Sequence, residues 1–230
     1  MATNFFENKP FTKLGLFAIP LLICMMAMGS QFPKGEVLGF SSKVIAFEFA
    51  TSTGDIQAIL APLSEAERMG MDRGNYIDFA FMLTYASFIF FFFKVAKQQF
   101  KIKWLVVGQV LAVIILLGDV LENIQLLNIT RTYANDPNDL NIAAFLFQLQ
   151  LFTWLKWLCL GLALLLASFA LVHAKGFIKN IALLFSVPFL LSMIALINGT
   201  PTWIERFTIS IFLGLGSLVL VCFFVKRQVT

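Results

Sequence analysis

Charge is scarce in this chain. Only 13% of its 230 residues are Asp, Glu, Lys or Arg, where a soluble domain carries about 25%. Histidine occurs once and cysteine three times. There is no Cys-x-x-Cys, and a single His leaves no zinc ligand set. Cys24, Cys159 and Cys222 all fall inside apolar runs and read as small packing residues, so a disulfide framework is excluded. Internal repeats and low-complexity linkers are also missing, which excludes solenoid and disordered architectures. What the chain has instead is apolar mass: 59% hydrophobic residues, with 27 Phe. A water-soluble globule of this size has too much surface to hide that much Phe, Leu and Ile. The composition therefore predicts an all-α, polytopic membrane protein. It is read as a single membrane domain over residues 1–230, with 31–75 as a helical cap within it.

A helix needs about 20 apolar residues to cross a hydrocarbon core roughly 30 Å thick. Six stretches meet or approach that length: Leu14–Ser30, Tyr76–Phe93, Trp104–Leu127, Ile142–Val172, Ile181–Ile197 and Phe207–Val225. The fourth is too long for a simple crossing, so its first turns, with Gln148 and Gln150, are expected to project or tilt. Pro20 and Pro188 are expected to kink the first and fifth spans. The first stretch is read as an anchor rather than a cleaved leader, and Ile23 before Cys24 is too large for a lipoprotein cleavage site.

The basic residues alternate between loops. One side carries Lys9, Lys13, Lys94, Lys97, Lys101, Lys103, Lys175, Lys179, Lys226 and Arg227 against a single acid, Glu7. The other carries Lys34, Lys43, Arg68, Arg73, Arg131 and Arg206 against a larger number of acids. The positive-inside rule then predicts both termini on the cytoplasmic side, in an integral protein of a bacterial inner membrane. The same distribution explains the net charge of +4 without a nucleic-acid surface.

Residues 31–75 form the one sizeable non-membrane segment. Two Ser-x-x-acid helix starts stand in it, Ser52 with Asp55 and Ser64 with Glu67. Ile56, Ile59, Leu60 and Leu63 recur at helical spacing, and Pro62 limits that helix. The pattern predicts two short helices that lie on the bilayer surface or cap the bundle.

The residues that carry chemistry are ionisable groups inside the spans: Asp78 in the second, Asp119 and Glu122 in the third, Lys156 in the fourth. Each costs about 2.5–3.5 kcal/mol near a helix centre, so each is expected to face the interior and find partners. Counted from the cytoplasmic ends, Asp78, Asp119 and Lys156 lie roughly 22–25 Å up and Glu122 near 27 Å, at 1.5 Å per residue. Three helices thus place both signs of charge in one layer. Asp119, Glu122 and Asn123 sit at i, i+3 and i+4 and share one face. Tyr85 shares a stripe with Asp78, and Thr153 lies one turn from Lys156. Trp154 and Trp157 stand beside Lys156, as an interfacial belt or as a pocket wall. Arg206, at the outer start of the sixth span, is close enough to reach in unless Glu205 takes it first.

The candidate ligand-binding set is therefore Asp78, Tyr85, Asp119, Glu122, Asn123, Thr153, Lys156 and Arg206. Three acids against one Lys leave a surplus of two negative charges, to be met by a proton or a cation. The first expectation is a pocket open to the outer face that handles a small polar or amphipathic ligand such as a lipid headgroup, an amine or a proton. No cofactor is assigned. One alternative is a structural or accessory subunit whose buried charges only fix helix packing. In that reading Ser210, Gly214 and Ser217 form a small-residue stripe for close contact with a membrane partner. The other alternative is a carboxylate-dependent hydrolase using Asp78 and Asp119. The Gly-x-Gly-Asp signature of intramembrane aspartyl proteases is not met, since Leu116 stands at its first glycine and Ile77 separates Tyr76 from Asp78.

Overall fold

The computed structural model describes residues 11–137 and 141–225. Of the residues used for orientation, Glu7, Lys9, Lys226 and Arg227 lie outside that set. Among the described residues, six helices are long and apolar enough to cross a membrane. They are α1 (Thr12–Gly29), α4 (Glu65–Phe100), α5 (Lys103–Asn135), α6 (Ala143–Leu171), α7 (Phe177–Asn198) and α8 (Pro201–Val221). Two short helices, α2 (Lys43–Glu48) and α3 (Thr53–Leu60), lie between α1 and α4.

Local sequence explains where these helices break and start. Pro20 has no N–H and crowds the carbonyl four residues back, and α1 is interrupted just there, between Thr12–Gly15 and Ala18–Gly29. Pro188 acts the same way: α7 passes through a 3-10 stretch, Ala182–Ser186, before its last segment, Val187–Asn198. Both predicted capping boxes form. Ser52 accepts from the Asp55 N–H at 3.1 Å, and Ser64 accepts from the Glu67 N–H at 3.3 Å.

The cap differs from its sequence reading in two ways. The helix that starts after Ser64 is not a separate surface piece. It continues without interruption into the second span as a helix of 36 residues, roughly 54 Å long at 1.5 Å per residue. No proline stands between Ser64 and Phe100 to stop it. Gly70 falls where the 31–32 segment crosses α4: a Cβ there would sit 2.6 Å from the Gln31 carbonyl oxygen. The second difference is α2, which the sequence reading passed over. Its Ser42 cap accepts from the Ile45 N–H at 3.4 Å.

The apolar side chains of the cap point inward. Ile56, Ile59 and Leu60 of α3 are fully buried, as is Phe47 of α2. Phe49 wedges between α6 and α8, edge-on to Trp154 and Phe207 with centroids 5.2 and 6.0 Å away. Gln150 on α6 donates to the Thr51 carbonyl at 3.3 Å, so the first turns of α6 serve the cap. The tightest packing joins α4, α5 and α6 in series, and α7 pairs with α8. In contrast, α1 leans on α4 and meets α8 sparsely.

Candidate functional site

Lys156 on α6 is the hub. Its side chain is 6% exposed, and such an ammonium is stable only with partners. Three carboxylates supply them. Nζ lies 2.7 Å from Glu122 Oε2 and 3.1 Å from Asp119 Oδ1, both on α5. It lies 3.4 Å from Glu48 Oε2 at the end of α2. The face shared by Asp119, Glu122 and Asn123 at i, i+3 and i+4 turns into the bundle, with Asp119 and Glu122 meeting α6 and Asn123 meeting α4.

A ring of neutral donors holds the acids in place. The Tyr85 hydroxyl donates to Asp119 Oδ2 in a buried bond. Asn123 Nδ2 donates to Asp78 Oδ2 at 2.9 Å and to the Asn75 carbonyl at 3.2 Å, which ties α5 to α4. The Trp157 indole N–H donates to Glu48 Oε2 at 3.0 Å, and Thr153 donates to the Glu48 carbonyl at 3.1 Å. The Lys156 ammonium also stands 5.0 Å from the Trp157 ring centroid, at cation–π distance. Trp157 is thus a wall of the site and not a belt residue at a lipid interface.

Seven of the eight candidate residues come together here: Asp78, Tyr85, Asp119, Glu122, Asn123, Thr153 and Lys156. Arg206 does not. It is exposed, with its guanidinium stacked 4.8 Å over the Trp203 ring. Its neighbour Glu205 does not take it either, and accepts instead from the Ser41 hydroxyl at 2.7 Å. Of the small-residue stripe of α8, Gly214 packs inside the bundle and Ser217 is exposed. A Cβ on Gly214 would meet Leu164 at 2.8 Å and Pro188 at 3.3 Å, and Ser210 donates to its own helix at Phe207.

Two residues were missed. Glu48 reaches the hub from the cap, and Asn75 lies one turn before Asp78. The signal for Glu48 was present: it is the only charge in the apolar run Val44–Ala50. With Glu48 added, four carboxylates face one ammonium, and the formal surplus becomes three negative charges. Among the described residues no group of three or more His, Cys, Asp or Glu is arranged to hold a metal ion.

The cluster borders open space. A cavity of about 690 Å³ is lined by Glu48, Asp78, Asp119 and Lys156 at its polar side, with Met25 and Phe212 among its apolar walls. A second, apolar cavity of about 220 Å³ adjoins it through Met25, Phe81, Tyr85, Phe212 and Leu215, which line both. Volumes of this order are those of small-molecule sites. Asn75 lines the larger cavity, is buried, and its Nδ2 has no hydrogen-bond partner among the described residues.

A scan of family models, a search of curated proteins and a search of solved structures each found no match to the chain. Fold and site alone define the class: an all-helical protein with six helices apolar enough to span a membrane, built around a buried Lys–carboxylate cluster beside a cavity.

Proposed function

We propose that this chain is an integral membrane protein, with both termini cytoplasmic, whose cavity binds a small polar or amphipathic ligand at the charged layer. The observation that supports this best is the juxtaposition of the two surfaces. Asp78, Asp119 and Lys156 form one side of a cavity whose other walls are apolar. An intramembrane ionisable group is a functional candidate by default, because insertion penalises it.

Native mass spectrometry of gently extracted protein tests the reading. A reproducible co-purifying mass is expected in the wild type, lost in Leu215→Trp, which fills the wall shared by both cavities. Wild-type protein released bare from several mild detergents would count against it.

One observation favours a structural reading of the same residues. Lys156 contacts three carboxylates directly and so clamps α5, α6 and the cap together. The two roles separate in Lys156→Met. A clamp predicts loss of fold, whereas a stable Lys156→Met that has lost only its co-purifying ligand would leave binding as the role.

A further inference from the structure

Not all the acids in the cluster are in the same position. Glu48, Asp119 and Glu122 all touch the Lys156 ammonium. Asp78 does not: its hydrogen bond is the one from the Asn123 amide, and no ion pair reaches it among the described residues. Asp78 is nevertheless a lining residue of the larger cavity. A carboxylate so placed calls for a cation or a proton, because low-dielectric surroundings penalise an unpaired charge. Lys34 and Lys156 also line the cavity, but Glu48, Asp78 and Asp119 outnumber them, so an anionic headgroup would meet a net negative wall.

The second observation is independent. Asn75 lies at i−3 from Asp78, so both side chains share one face of α4. Its Nδ2 is an unpartnered donor, in a residue only 4% exposed, on the wall of that cavity. An unsatisfied buried donor is destabilising until an acceptor arrives. The wall thus presents an acceptor for a cation, and one helical turn away stands a buried donor that an oxygen reaches once the Asn75 amide turns toward the cavity.

The apolar cavity supplies the third element. Its lining runs along α1, α4 and α8, from Ala18 and Leu220 at one end to Met25 and Phe212 toward the charged layer. Leu22, Met25, Phe212 and Leu220 are all partly exposed on the outside of the bundle, so the slot lies along the lipid-facing seam. From Thr208, beside the charges, to Leu220 is roughly 18 Å of helix at 1.5 Å per residue, room for an alkyl chain lying along the seam.

We propose, resting on the reading of the cavity as a binding site, that the ligand is an amphiphile whose headgroup carries a cationic amine and a nearby acceptor oxygen. The amine sits at Asp78, the oxygen accepts from Asn75, and the alkyl chain leaves between α1 and α8. An amine-headed phospholipid and a free single-chain amino alcohol share this chemistry.

The test is a native mass spectrometry titration of the purified full chain with 2-aminododecan-1-ol, dodecylphosphoethanolamine, dodecanol and dodecyl phosphate. Both amines are expected to add one equivalent at least tenfold more tightly than the other two. The stronger of the two amines identifies the source, phospholipid or free amine. Asp78→Asn is expected to weaken both amines by about tenfold or more, the scale of a lost charge-assisted bond, and to leave dodecanol unchanged. The wild-type ranking decides the headgroup whether or not that variant folds. Dodecyl phosphate or dodecanol binding as tightly as the amines would overturn the cationic headgroup and leave the binding cavity standing. Unchanged amine affinity in a folded Asp78→Asn would remove Asp78 from the role. No binding by any probe would overturn both this inference and the function it rests on.

Discussion

The α4–α5–α6 side of the bundle and the α1–α8 seam are made of similar residues and behave differently. On the first side, Phe93 is almost fully buried, and α5 comes so close that a Cβ on Gly108 would meet its ring. Along the seam, α1 has no buried residue in its Ala18–Gly29 segment, and Gly216 of α8 faces nothing within 4 Å. Apolar composition is common to both, so it does not decide which surface becomes core. Inside a bilayer no hydrophobic force distinguishes a neighbouring helix from lipid, and shape and polar contacts decide instead. The charged layer ties α4, α5 and α6 together and leaves α1 outside that network. The cavity opens where the network stops.

The largest expected break in this contrast is Lys156→Met. It leaves Glu48, Asp119 and Glu122 buried without their cation, a loss of about 3–5 kcal/mol if they stay charged. Thermal unfolding in detergent should show a large fall in midpoint, and an unchanged midpoint would mean the ammonium is not the clamp. Second in size is a pair of matched glycines. Gly108→Ala forces a methyl against a buried Phe93 ring and should cost about 1–3 kcal/mol by overpacking. Gly216→Ala, on the seam, should be neutral or stabilising by up to about 1 kcal/mol, because alanine favours a helix interior and no neighbour opposes its methyl. Equal effects at the two sites would erase the distinction between tight side and loose seam.

A smaller effect is expected for Trp157→Phe. It keeps most of the ring and removes the N–H that holds Glu48, for a loss of about 1–2 kcal/mol. Protection of the cap from proteolysis should fall with it, because Glu48 is the cap's link to Lys156. The smallest effect tests the cap alone. Partial burial acts to raise the Asp55 pKa, but hydrogen bonds from Thr51 and Ser52 outweigh it and hold the carboxyl below its ordinary value. A depressed folded-state pKa stabilises above the unfolded value and loses that contribution as pH falls through the folded one. Asp55→Ala should therefore cost about 0.5–1 kcal/mol at neutral pH. The gap to wild type should close as pH drops below the carboxylate range, and a gap that persists in acid would assign the effect to something other than the charged cap.

Much of the site was legible because burying charge in a membrane helix is expensive. That expense makes Asp78, Asp119, Glu122 and Lys156 conspicuous in a sequence otherwise filled with Leu and Phe. Helical periodicity then put Asp119, Glu122 and Asn123 on one face before any packing was known. Glu48 escaped notice because its helix is six residues long, too short for a periodic signal. Its contact with Lys156 spans 108 residues of chain. Arg206 was overextended for a related reason. Proximity along a helix end says nothing about direction, and the Trp203 ring next to it offered a nearer partner.

The sequence by itself determined the solvent this protein needs, the six apolar segments, the proline breaks and the need for ionisable groups to meet. These follow from local geometry and from transfer free energies, which act on each segment separately. Tertiary structure alone decided that α2 brings a third carboxylate to Lys156, that Asp78 has no ion pair among the described residues, and that the space beside it runs out between α1 and α8. Those outcomes depend on which helices approach and which do not, and lipid and neighbouring helix are nearly equivalent to an apolar side chain.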